Sequence, residues 1–148
     1  RALGNRSILA NPALPDMKDK LNLAVKRREP FRPFAASVLR EKVHDYFIDL
    51  DDSPFMLLVG KIRPEKLGSI PAVTHVNGTS RVQTVTREHN GIYYDLISEF
   101  YALTGVPLVL NTSFNEEEPI VCSPEDAYSC FTRTPMDCLV MESFIVEK

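Results

Sequence analysis

The last third of the chain restricts the fold more than any other stretch. "VPLVLN" is an apolar run of strand length. "SPEDAYSCFTRT" follows, with Ser123 as a helix cap, Pro124 at the first helical position and Glu125 and Asp126 in the first turn. "DCLVMESFIVE" then returns to strand composition. Strand, helix and strand in that order predict a parallel crossover unit, hence an α/β sheet. In such a sheet ligands gather beyond the carboxyl ends of parallel strands, where "NTSFN", residues 111–115, is expected to sit.

The rest of the chain reads as one domain, since 148 residues suffice for one hydrophobic core and hardly for two. Asp16 is positioned to cap a helix running to about Arg27, with Met17, Leu21, Ala24 and Val25 on one face. Lys26, Arg27 and Arg28 close its last turn, where the helix dipole favours cations. "AASVL" reads as a short strand and "FMLLVGKIR" as a longer, buried one. "IPAVTHVNGTSRVQTV" reads as two strands joined at Asn77-Gly78, a dipeptide suited to a tight hairpin turn. In the second strand Arg81 and Gln83 share one face, and Val82 and Thr84 the other. Asn90 caps a helix to about Thr104 with Tyr93, Leu96, Ile97 and Phe100 as its buried stripe, stopped by Gly105 and Pro107.

Charge directs attention to one place. The formal net charge is -3, so no global basic field argues for nucleic acid, and any anion site must be local. "KRREPFRPF", residues 26–34, is where cations concentrate. One reading is a solvated helix end followed by a proline-rich loop. The other is a rigid cradle. Pro30 and Pro33 remove backbone freedom, so less entropy is lost when cations are held around a ligand. Arg32 offers a planar fork for phosphate oxygens, Lys26 a point charge, and Glu29 a brace for one arginine, with Arg27 or Arg28 as its partner.

Elsewhere, Arg81 in mid-strand needs an anionic partner if buried, and His75 reads either as a hairpin histidine or as a ligand contact. His44 and His89 read as surface residues. Asn111, Thr112 and Ser113 suit a turn, but equally an amide or nucleotide contact, and the acidic run after them is expected to face solvent. No Ser-His-Asp, HExxH, Walker or Rossmann glycine pattern is present. Cations plus amides are equipment for orienting a polyphosphate rather than for forming a covalent intermediate. No apolar run reaches membrane-span length and no signal peptide is visible, so no membrane partner is expected. Cys122, Cys130 and Cys138 contain no CxxC pair and fit reduced, buried thiols in a cytoplasmic protein. The opening "RALGNRSIL", without methionine, reads as cut from something longer.

Blocks in a fixed order carry a resemblance: "RALGNRSIL", "KRREPFRPFAASVL", "SPFMLLV", "IPAVTHVNGTSRVQTV", "TGVPLVLNTSFN", "EPIVCSPEDA" and "CFTRTPMDCLVM". Together they resemble the carboxyl-terminal, YrdC-like domain of the nodulation- and antibiotic-type O-carbamoyltransferases. The resemblance implies a single YrdC-like α/β domain over 1–148, a twisted mixed sheet with flanking helices. Residues 1–15 would form the junction with an amino-terminal domain of the ATPase fold. It implies ATP with magnesium and carbamoyl phosphate as ligands, and carbamoyl adenylate as the intermediate. A small-molecule hydroxyl acceptor and an iron would belong to the other domain, with no metal site on this chain. By matched position, Lys26, Arg32 and Arg81 would do the catalytic work, while Arg28, His75, Thr79, Asn111, Ser113 and Asn115 would bind substrate or nucleotide. This sequence departs from the pattern at Asn77, where relatives usually have aspartate, and in lacking a glycine before "EPIV". Two alternatives stand beside this reading: a threonylcarbamoyl-adenylate synthase serving tRNA modification, and a non-catalytic nucleotide-binding module.

If Arg32 grips phosphate, Arg32→Ala will weaken phosphate-ligand binding by about 1.5–3 kcal/mol, the scale of a lost charged hydrogen bond. Equilibrium titration with carbamoyl phosphate measures this, and wild-type affinity would make Arg32 structural.

Overall fold

The computed structural model describes residues 2–148. Its centre is a mixed sheet of β1 (Ser7–Ala10), β2 (Ala35–Leu39), β3 (Phe47–Ile48), β4 (Leu58–Ile62), β5 (Thr79–Val85) and β6 (Leu108–Ser113). They lie in the order β1-β6-β2-β5-β4-β3. Within it β2 and β5 run parallel, and every other pairing is antiparallel. The α/β expectation therefore holds, as does the mixed sheet that the resemblance implied.

Alternation along the central strands builds two cores, because successive side chains leave opposite faces of a strand. Ala36 and Val38 of β2, Val82 of β5, and Leu108 and Leu110 of β6 join Val25, Phe34, Ile62 and Phe131 in the larger cluster. Leu39, Val85 and Val109 point the other way and pack beneath Tyr93 and Ile97. Those two belong to the long helix Gly91–Thr104, which Asn90 caps through its side chain and left-handed Gly105 ends. Of the expected stripe, Leu96 is exposed and Phe100 only half-buried.

Several expectations need correction. The first helix is short: α1 (Met17–Lys20) passes into a π-helical turn, Leu21–Val25, and Asp16 makes no side-chain cap bond. Its own backbone is already helical, at φ -87 and ψ -6, so its carboxylate is not aimed at the free N–H groups. The strand expected in "IPAVTHV" does not form, and the antiparallel partner of β5 on that side is β4. Pro64–Ser69 and Pro71–Val73 form 3-10 turns instead, each opened by its proline. The Asn77-Gly78 turn does form, closed by His75 N–H donating to the Thr79 carbonyl at 2.8 Å. Only Leu58–Ile62 of "FMLLVGKIR" is strand, and Phe55, Leu57, Leu58 and Val59 are substantially exposed. Short α2 (Val43–Tyr46) precedes β3, and α3 is the long helix Gly91–Thr104.

The crossover unit is also different. Helix α4 (Pro124–Arg133) carries the expected cap, with Ser123 and Asp126 bonding reciprocally. The strands after it, β7 (Cys138–Met141) and β8 (Phe144–Glu147), pair only with each other, as a hairpin separate from β6. Glu142, at φ 53, makes the reversal that "DCLVMESFIVE" concealed. Lys148 fastens this hairpin to α4, donating to the carbonyls of Phe131 and Thr134 near the helix end. Of the three thiols only Cys130 is buried, while Cys122 and Cys138 are exposed.

Residues ahead of β1 are sewn onto the sheet. Gln83 donates to the Leu3 carbonyl at 3.0 Å and Asn111 to that of Ala2 at 3.3 Å. Gly4 lies under the Tyr93 ring at φ +112, and a Cβ there would come within 2.3 Å of it. Gly4→Ala is expected to cost about 1–3 kcal/mol of stability through overpacking, read by chemical denaturation.

Candidate anion site

The basic stretch leaves the π-helical turn, where Lys26 N–H bonds back to the Leu21 carbonyl at 2.9 Å. Arg27 then adopts a left-handed backbone, φ 44, uncommon for a residue with a Cβ. This reversal fans out the consecutive cations. Lys26 turns inward and is 4% exposed. Arg27 reaches Glu116 at 2.6 Å. Arg28 lies over the Phe34 ring, 4.9 Å from its centroid.

Lys26 lands at the end of β6. Its ammonium donates to the carbonyls of Ser113 at 2.5 Å and Asn115 at 2.6 Å, and to Asn115 Oδ1 at 2.7 Å. Burial first, then the charge of Arg28, brings its pKa down from 10.5 to about 8. Between the loops lies an open cleft of about 380 Å³, bordered by Lys26, Arg28, Arg32, Ser113, Asn115 and Glu116. Because β6 opposes β2, the "NTSFN" end faces the amino ends of the parallel pair, not their carboxyl ends. The site therefore differs in position from the usual α/β crevice, and side chains rather than strand-end geometry define it.

Arg28 is the electrostatic node. Burial foremost, then Arg32, lowers its pKa; Glu29 opposes the shift and Arg81 adds to it. A half-buried guanidinium among like charges is favoured by an anion that joins them. The brace supplied by Glu29 goes to Arg32, at 2.9 Å, not to Arg27 or Arg28. Both members of that pair are about half exposed, with side-chain exposures of 52% and 53%, so the pair is weak and separable. Glu116 does not face solvent as expected: its side chain is 8% exposed, between Arg27 and Arg133.

The other expected residues fall into two places. Arg81 is exposed on β5, in register with Ala35, outside the lining of this cleft but near enough to act on Arg28. His75 neighbours it: Nε2 lies 3.1 Å from the Phe34 carbonyl and Nδ1 3.3 Å from Thr79 Oγ1. Burial, partly offset by the Phe34 carbonyl, holds His75 below its usual pKa, with the Arg81 charge adding to the depression. Thr79 also donates to Asn77 Oδ1 at 2.7 Å, so Asn77 shapes the turn. Asn111 is fully buried, donates to Ser37 Oγ at 2.9 Å and Gln83 Oε1 at 3.2 Å, and is not among the residues that line the cleft. Ser113 donates to Asn115 Oδ1 at 2.7 Å, and Asn115 to the Glu118 carbonyl at 2.6 Å, which shapes the acidic loop. The buried Asn22 escaped the sequence reading, which took Glu116 only as part of a solvent-facing acidic run. The only hint of Asn22 was an amide beside Leu21 in an otherwise apolar turn.

The structure thus defines a mixed α/β domain with a cation-lined cleft at one end of its sheet. The family model described as carbamoyltransferase C-terminus matches residues 1–148, and the chain belongs to that family. It is 50% identical to the nodulation protein NolNO of Sinorhizobium fredii, over its whole length and 22% of that protein. It is 48% identical to NolO of Bradyrhizobium diazoefficiens, again over its whole length and 28% of the relative. Nodulation protein U of Rhizobium tropici is 46% identical over 78% of the chain. The chain spans roughly a quarter of the length of the curated relatives it matches. Among the described residues no helix is long and apolar enough to cross a membrane.

Lys26 gives this site a pH signature. Its proton leaves at about 8 in the folded chain, against 10.5 for the ordinary lysine. Between those values unfolding takes up a proton, so stability rises with pH across that window. Lys26→Met is expected to flatten the rise, measured by denaturant titration at a series of pH values.

Proposed function

We propose that this chain is the adenylate-forming domain of an ATP-dependent carbamoyltransferase. The observation that supports it best is the convergence of Lys26, Arg28 and Arg32 on one cleft, with Arg81 acting on the same guanidinium. Family membership supports carbamoyl transfer as the overall reaction.

Water attacks the phosphorus of carbamoyl phosphate, the P–O bond to the carbamoyl oxygen breaks, and carbamate and inorganic phosphate result. A carbamate oxygen then attacks the α-phosphorus of ATP, and the bond to the bridging oxygen breaks to release pyrophosphate. Carbamoyl adenylate results; the acceptor hydroxyl oxygen attacks its carbamoyl carbon, the bond to the phosphate oxygen breaks, AMP leaves and the hydroxyl proton passes to solvent. Carbamate is short-lived in water, so the two phosphorylated reactants must lie side by side, and negative charge accumulates between them. Cations fixed in advance stabilise that charge without reorganising at the moment of reaction. In this arrangement Arg28 and Arg32 hold phosphate oxygens, and Arg81 approaches from the neighbouring strand. Lys26 supplies charge from below while fixing Ser113 and Asn115 in place. The carbonyl and amide groups of that segment suit the carbamoyl NH2.

Magnesium fits here as an ion carried by the nucleotide phosphates, whose charge it would neutralise. No group of three or more His, Cys, Asp or Glu gathers among the described residues to hold a metal by itself. Glu117, exposed at the rim, is the carboxylate that would meet such an ion.

The decisive measurement is pyrophosphate release by the full-length protein. ATP with carbamoyl phosphate should release it. Release only with threonine and bicarbonate would transfer the chain to the threonylcarbamoyl-adenylate synthases, and no release from any mixture would leave a nucleotide-binding module.

A further inference from the structure

We propose that Asn22 is the positioning residue of the anion cleft, orienting Arg28 and holding the proline loop from beneath. Asn22 is 0% exposed, in the π-helical turn Leu21–Val25. Its amide makes three bonds into the basic stretch. Nδ2 donates to the carbonyls of Pro30 at 3.1 Å and Arg32 at 3.0 Å. Oδ1 accepts from Arg28 Nε at 2.7 Å. The backbone repeats the link, since Arg28 N–H bonds to the Asn22 carbonyl at 2.9 Å.

A buried amide is costly unless its donors and acceptor are matched, and here both N–H groups and the oxygen are engaged. Its neighbours Leu21 and Val25 pack in the core, so an apolar residue at 22 would suit packing alone. What the amide adds is geometry. One bond to Nε and one ring face fix the guanidinium plane of Arg28, and neither uses its four Nη hydrogens. The two donor bonds hold the carbonyls of Pro30 and Arg32 at fixed points, between prolines whose φ is already restricted. An arginine ordered before its ligand arrives loses less freedom on binding. The π-helical turn itself fits the assignment, because such turns recur where a helix must redirect a side chain at a functional site.

This inference rests on the cleft taking a phosphate anion and not on the reaction that follows. Inorganic pyrophosphate is therefore the probe, titrated by calorimetry into the full-length protein. Asn22→Leu, which is close in size and lacks all three bonds, should weaken binding about 10-fold, as expected for a displaced charged donor. In an Arg28→Ala background the same change should add less than about 2-fold, because residues acting through one another are not additive. Wild-type affinity in Asn22→Leu, or losses that multiply fully in the double variant, would overturn the assignment. Should Asn22→Leu not fold, Arg28→Lys keeps the charge and the buried amide but loses the Nε bond. It too should bind about 10-fold more weakly, and unchanged affinity would refute the proposal. A wild-type protein that binds pyrophosphate yet releases none from ATP and carbamoyl phosphate would sink the carbamoyltransferase reading alone. One that does not bind pyrophosphate would sink both.

Discussion

The ammonium of Lys26 lies beneath the surface among oxygens of Ser113 and Asn115, and these contacts join segments separated by 87 and 89 residues. Everything at the site follows from that junction. It seats the π-helical turn against the end of β6, and it positions the acidic loop opposite the basic one. With the ends of both loops held, the cleft is bounded by groups that cannot drift apart independently. Burying one charged amine is unfavourable by itself, and its depressed pKa records that cost. The carbonyl dipoles around it make the arrangement tolerable.

Around this junction the charges divide into two kinds. Arg27 is tied to Glu116, and Arg133 connects Glu116 to Glu118, so one chain of ion pairs shapes the wall. Arg28 bonds a neutral amide and lies over an aromatic ring, and its charged neighbours include Arg32, Arg81 and Glu29. The wall's ion pairs are matched among themselves, while the guanidinium of Arg28 is held by a neutral amide. Arg32 sits between these roles, in a half-exposed pair with Glu29 that an incoming phosphate could replace at small cost.

Most of the elements were legible because local chemistry dictates them. "AASVL" became a strand, Asn90 and Ser123 capped helices, and Gly105 ended one, since caps and stops depend on residues a few positions apart. Failures came where the answer was non-local. "DCLVMESFIVE" has strand composition, yet nothing within it says that its two halves pair with each other and leave β6 alone. "IPAVTHV" carries enough apolar side chains for a strand, but Pro71 opens a 3-10 turn within it and β4 takes the place beside β5.

The same division runs through the site. Sequence alone located the cation cluster that borders the cleft, because clustering in a chain of net charge -3 and the flanking prolines are both local properties. It also determined that amides and hydroxyls follow an apolar strand at 111–115. Only the tertiary structure decided what each group does. Asn111 joined a buried polar network with Ser37 and Gln83, Lys26 became a buried link, and Asn22 became the support for Arg28. The physical reason is that a polar side chain's role depends on which partners satisfy it once water is removed, and those partners come from distant parts of the chain.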